Sequence, residues 1–273
     1  MYMGLLNLFG KYPYVYTLHI APVPSDIIHR LLTFTGYRTI AISNEVKDFL
    51  VQKLKVNPER IALVLNGVNE RLLMPLSPEE KFKVRKQFGI SEDKIVVSIH
   101  ARISVIKNQI SVAHAVASLT EDERRNIIIL CSGEIGGPTY NDIINVIKSN
   151  GIEDNFVFCG WASAREVIGC SDYTMLPSTS EGFPLNCLEA MFLKVPVLRT
   201  KTGGYENMSP YCVGMEEPTV DCIAEHLRKI IEKKLDISYM VNKAEKFAHT
   251  DCTISQMTRK TVEVYKDCIC QTL

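Results

Sequence analysis

Short apolar runs alternate with amphipathic stretches along almost the whole chain, at the spacing of repeated strand, turn and helix. Residues 14–19 alternate and are rich in β-formers, which predicts a strand ending at polar His19 and a loop punctuated by Pro22 and Pro24. Asp26 is placed to cap a helix through about Leu32, residues 38–42 make the next strand, and Ser43 caps a helix over 45–54. A short strand over 61–65 closes at Asn66-Gly67, a turn pair whose glycine tolerates positive φ. Residues 79–88 are charged and read as a solvated surface helix at a domain boundary. Beyond it, 94–99 is a nearly continuous apolar run of the kind a central parallel strand needs. Further strands are predicted over 127–131, 155–159 and 195–199, and helices over 108–119, 140–149, 165–170, 220–233 and after Ile237. The class is therefore α/β with parallel sheets on both sides of the boundary, and the crevice between the halves is the expected site.

Composition narrows the partners more than the fold. The 273 residues are 46% hydrophobic and 23% charged, ordinary for a globular protein and against intrinsic disorder. Lysine plus arginine equals aspartate plus glutamate at 31 each, so no global basic field argues for nucleic acid. Nine cysteines without paired CxxC spacing read as free thiols in a reducing cytosol, which implies a cytoplasmic protein. No run approaches the roughly 20 apolar residues that span a bilayer. Residues 1–9 carry apolar patches that either peripheral contact with a membrane or a packing surface would explain.

The stretch YTMLPSTSEGFPLNCLEAMFLKVP, residues 173–196, holds the candidate chemistry. It runs from a buried strand through a polar turn into an amphipathic helix, with Glu181 and Glu189 eight positions apart across the junction. An ordinary strand, loop and helix would account for Leu185, Leu188, Ala190, Met191 and Leu193 as core, but leaves both carboxylates unexplained. Pro184 fits just inside a helix start, where its missing N–H costs nothing, so Gly182, Phe183 and the first helical N–H groups should face the carboxyl end of the sheet. Such a site attracts anions, and a phosphorylated ligand is its natural occupant. Arg102 follows the central strand and Lys107 lies five residues on, where both cations can enter the same crevice and neutralise a diphosphate. His19, at the carboxyl end of its strand, is a further candidate.

The pattern EGFPLNCLE, with the PS before it and the EAM after it, resembles the E-x7-E element of retaining glycosyltransferases of the GT4 family. The likeness extends over almost the whole chain through TLH, AISNEVKDFL, NGVN, HARISVIKNQ, CGW, PSTSEGFPLNCLEAM and TGGYENM. It implies a GT-B-like fold of two Rossmann-like domains: a partial acceptor-side domain over 1–92, a donor-binding domain over 93–250, and a helix over 251–273 that crosses back. It implies that Arg102 and Lys107 bind the donor diphosphate, Glu189 the ribose hydroxyls, and Glu181 with the backbone of Gly182, Phe183, Pro184 and Leu185 the sugar and phosphate. His19 would sit near the sugar, and Trp161 and Ala162 near the base. The expected reaction is transfer from a nucleotide-sugar donor to a saccharide or lipid-linked acceptor, with retention, in polysaccharide or glycoconjugate synthesis and without a metal or other cofactor. Ala101 replaces the glycine usual before the arginine. The family's N-terminal strand and glycine-rich loop have no counterpart before Met1, so the N-terminal domain is expected to be incomplete. An oligomer or partner covering its sheet is the corresponding expectation, and a non-catalytic nucleotide-sugar binding subunit is the alternative to an enzyme.

Overall fold

The computed structural model describes residues 13–33, 35–235 and 237–270, so the apolar patches of residues 1–9 lie outside the described residues. The first half is a three-stranded parallel sheet of β1 (Val15–Leu18), β2 (Arg38–Ala41) and β3 (Ile61–Leu63), in that order. Helix α1 (Ile27–Leu32) is capped by Asp26, and α2 (Asn44–Gln52) by Ser43, whose hydroxyl accepts from Val46 N at 3.2 Å. Asn66-Gly67 does not turn the chain. Gly67 has an ordinary φ, and its lack of a side chain is used differently: a Cβ there would lie 2.3 Å from Thr253 O.

Helix α3 (Pro78–Gln87) opens on a full capping box between Ser77 and Glu80. Its charges suggest a wholly solvated surface, yet Arg85 is buried. Arg85 donates to Cys170 O at 2.9 Å and Lys94 O at 3.2 Å, and its Nη2 lies 2.7 Å from Asp172 Oδ2. Lys81 and Val96 N reach the same carboxylate, each at 2.9 Å. Burial alone would raise the Asp172 pKa, but Lys81, the Val96 N–H and Arg85 together hold it below the usual aspartate range. These bonds fasten α3 beneath the second sheet, where Val84 and Phe88 pack on Val96 and Ile128.

That second sheet is parallel throughout, with order β6-β5-β4-β7-β8-β9. In chain order come β4 (Ile95–His100), α4 (Gln109–Ala117), α5 (Glu121–Arg124), β5 (Ile127–Ser132), α6 (Pro138–Ser149), β6 (Phe156–Phe158), α7 (Ala164–Val167), β7 (Tyr173–Leu176), α8 (Leu185–Phe192) and β8 (Val197–Thr200). Then follow α9 (Tyr205–Met208), β9 (Val213–Met215), α10 (Val220–Ile231), α11 (Ser238–Asp251) and α12 (Ile254–Cys270). The continuous apolar runs of β4 and β5 have the reason expected of them: helices cover both faces of the sheet.

One core joins the halves. Leu18, Ile42 and Leu50 share a cluster with Phe183, Leu188 and Met191 of the β7–α8 segment and with Ala244 and Ala248 of α11. Helix α12 then returns to the first sheet. Val68 N donates to Cys252 O and Ile254 N to Val68 O, each at 3.0 Å, and Val264 packs on Ile40 and Val64. A reciprocal pair of caps adds a polar seam: Asn44 N donates to Asn207 Oδ1 at 2.9 Å, and Glu206 N donates to Glu45 Oε1 at 2.8 Å.

Asp172→Ala leaves Arg85 buried without its carboxylate. The expected loss is about 3 kcal/mol in urea unfolding at pH 7, the low end for breaking a buried pair because Asp172 itself is 33% exposed. Since the folded carboxylate titrates below its unfolded value, its contribution is present above the unfolded pKa and disappears as pH falls through the folded one. The gap between wild type and variant should therefore begin to narrow below about pH 4 and close as pH falls through the lower folded pKa; a gap unchanged across that whole range would mean the aspartate acts by packing alone.

Candidate functional site

Strand order reverses at the boundary between β4 and β7, and the connections leaving these neighbours diverge to open a crevice at their carboxyl ends. Residues 100–107 enter it from β4 and residues 177–185 from β7. Pro184 is the residue before α8 rather than its first, and no side chain caps that helix, so its opening N–H groups are left to the crevice. The loop between is pressed from both sides. A Cβ on Gly182 would stand 2.0 Å from His19 O, and one on Gly203 would stand 2.1 Å from Glu181 O, distances no side chain can occupy. Asn66 Nδ2 donates to Phe183 O at 3.3 Å, a second tie between the first half and this loop.

Lys107 does not open a long helix. It ends a short 3-10 turn, Val105–Lys107, and Asn108 follows in the left-handed conformation with φ 57° before α4 begins at Gln109. The buried Asn108 amide offsets that strain by donating to Pro177 O at 3.2 Å and Pro218 O at 2.8 Å. The turn aims Lys107 Nζ at Glu181 Oε1, 2.6 Å away. Of the two carboxylates that a plain core left unexplained, Glu181 is thus neutralised by Lys107 and is only 9% exposed.

Glu189 projects from inside α8. Its Oε2 lies 4.0 Å from Nε2 of His100, the last residue of β4, whose Nδ1 is 2.6 Å from Ser132 Oγ. Burial raises the Glu189 pKa and lowers that of His100. Beyond Glu189 a smaller cavity of about 240 Å³ is lined by Val68, Leu73 and Ala164 among others.

His19, Arg102, Lys107, Glu181, Gly182, Phe183, Pro184, Leu185 and Glu189 all line a single crevice of about 470 Å³ between the halves. Trp161 and Ala162 do not line it. They follow β6, where Trp161 is 78% exposed. His100, Ala101, Asn186, Asn66 and Ile42 complete the lining and were not among the candidate site residues. His100 had a legible signal, since it ends the central strand as His19 ends its own. Among the described residues no group of three His, Cys, Asp or Glu is placed to hold a metal ion, and no helix is long and apolar enough to cross a membrane.

The family model described as glycosyl transferases group 1 matches residues 80–247. An uncharacterized glycosyltransferase of Methanocaldococcus jannaschii is 22% identical in a 275-residue alignment covering 94% of this chain and 70% of that protein. A phosphatidylinositol N-acetylglucosaminyltransferase subunit of Saccharomyces cerevisiae is 24% identical over 250 residues, 87% of this chain. The chain spans 53% of that relative's length. Among solved structures, Anabaena HepE in complex with UDP superposes with a TM-score of 0.84 at 20% identity, covering 97% of this chain and 75% of that one. The two-sheet arrangement is the GT-B fold.

The raised pKa of Glu189 means that folding works against its charge. Stability associated with this group is present below the unfolded carboxyl pKa and is lost as pH rises through the folded one. Glu189→Gln should accordingly be more stable than wild type in urea unfolding at pH 7 and equal to it at pH 4. A variant less stable at pH 7 would show that the carboxylate is needed structurally.

Proposed function

The chain belongs to the glycosyl transferases group 1 family, and on that footing we propose that it moves a sugar from a nucleoside diphosphate to a hydroxyl acceptor with retention at the anomeric carbon, in surface polysaccharide or glycoconjugate synthesis. One observation carries the reading: two cations, an uncapped helix start and two acids from separate connections converge in one crevice at the switch point of a parallel sheet.

Each group has a task that its position allows. Arg102 is exposed at the crevice mouth, where its planar fork can engage phosphate oxygens. Lys107 has three donors and gives one to Glu181, leaving others for the diphosphate. Together with the α8 N–H groups they would stabilise the charge that grows on the departing diphosphate, so no metal is required. Glu181 already accepts from an ammonium, which makes its oxygen a poorer nucleophile and supports a role in holding sugar hydroxyls. Glu189, deeper in α8, takes the ribose. The presence of UDP in the Anabaena structure makes uridine nucleotides the first donors to test.

Calorimetry on free nucleoside diphosphate separates these roles. Arg102→Ala and Lys107→Ala should each lose about 1.5–3 kcal/mol of binding, the range for a hydrogen bond to a charged group. Glu189→Gln should also weaken the free nucleotide, whereas Glu181→Gln should spare it and reduce transfer. Unchanged affinity in both cation variants sinks the diphosphate assignment, and equal losses in the two glutamine variants sink the division between the acids. Turnover should survive EDTA. Tight donor binding with no product under any acceptor would favour the non-catalytic subunit instead.

A further inference from the structure

Resting on the reading of Glu189 as the ribose ligand, we infer that His100 is its partner in binding, the two side chains meeting one ribose hydroxyl at adjacent positions, with Ser132 as the residue that orients the imidazole. His100 and Glu189 both line the crevice, each side chain 23% exposed. The gap of 4.0 Å between Nε2 and Oε2 is too long for a hydrogen bond. It suits an inserted atom: an oxygen about 2.8 Å from each would see the two at roughly 90°, near the spread of a hydroxyl's donor and acceptor directions.

The chemistry of the two flanks selects what enters. A carboxylate accepts only, and a phosphate oxygen beside it would be repelled. The imidazole can donate if its proton is on Nε2, and that tautomer is assigned to it. Ser132, 2% exposed and 2.6 Å from His100 Nδ1, then gives its hydroxyl hydrogen to Nδ1 while the ring proton sits on the opposite nitrogen. Burial keeps the ring neutral by lowering its pKa. The backbone of His100 is fixed as well, because Asn186 Nδ2 donates to His100 O at 3.1 Å and ties the end of β4 to the start of α8, the helix that carries Glu189. A group that donates to Glu189 and accepts from His100 at once is a hydroxyl. The ribose supplies it, since Glu189 lies inside the helix and away from Glu181 at the sugar end of the loop.

The experiment is a cycle between protein and ligand atoms. Affinities are measured by calorimetry for the tightest-binding of UDP, GDP and ADP and for its 2′-deoxy and 3′-deoxy forms, on wild type, His100→Phe, His100→Gln and Ser132→Ala. One deoxy form should bind wild type at least about fivefold more weakly than the ribonucleotide, since it loses a bond to each flank and even one neutral hydrogen bond is worth about 2- to 12-fold. That ratio should shrink about threefold in His100→Phe, shrink less in Ser132→Ala, and be largely kept in His100→Gln, whose amide can place a donor at the reach of Nε2. Equal weakening of ribo and deoxy forms by His100→Phe would overturn the inference and leave His100 a packing residue. A His100 effect confined to the nucleotide sugar, absent with the bare diphosphate, would assign the hydroxyl to the transferred sugar and overturn the ribose assignment. Failure of wild type to bind any of the three diphosphates would instead sink the donor reading itself, and this inference with it.

Discussion

No side chain fits between the loop that follows β7 and its neighbours. The backbone at Gly182 lies against His19 O from the first half, and the backbone at Gly203 lies against Glu181 O from the second. Much of the site follows from this stacking of main chains. It brings the end of β1 to the start of α8, places Glu181 where Lys107 can reach it, and leaves the first N–H groups of α8 facing a crevice instead of a packed interface. A methyl group at either glycine would move the loop that carries the chemistry, because the atoms it would meet belong to backbone and cannot rotate aside.

Around that contact the charges follow two regimes. Asp172 and Arg85 are closed off by several hydrogen bonds and serve the frame. Glu189 and His100 face each other at 4.0 Å, beyond hydrogen-bond length, and burial disfavours the charge on each. Lys107 and Glu181 stand between these cases: paired, yet exposed enough on the lysine side to share its donors with a ligand. Groups that satisfy each other hold structure, and groups left wanting are where binding free energy can be gained.

Much of the fold was legible in the sequence because parallel strands buried on both faces write themselves as unbroken apolar runs, as in 94–99 and 127–131. The shortest pieces were not. β9 is only Val-Gly-Met, too brief for any periodicity, and α9 is a single turn that reads as part of a glycine-rich loop. Helix α3 misled by composition, since a charge run does not reveal that its arginine, Arg85, finds a carboxylate 87 positions away. In the site, residues fixed by local grammar were visible: acids flanking a strand-to-helix junction, cations after a strand. The Lys107–Glu181 pair, the tie from Asn66 and the Ser132–His100–Glu189 line were not, because each joins segments that only the closed sheet brings together.

The exchanged caps at Asn44–Asn207 and Glu45–Glu206 have a mechanical meaning. Each half supplies an acceptor to a helix start belonging to the other, and α2 keeps its own Ser43 cap besides. Rotating one half away from the other would remove both of these acceptors together and leave the N–H groups of Asn44 and Glu206 without them at the same moment. These two bonds therefore act as a detent rather than a smooth bearing: they resist small displacements and contribute nothing past the length of a hydrogen bond, where the shared core alone opposes the motion. The loop 201–204, which leads into α9 and also presses on Glu181, would feel that release directly.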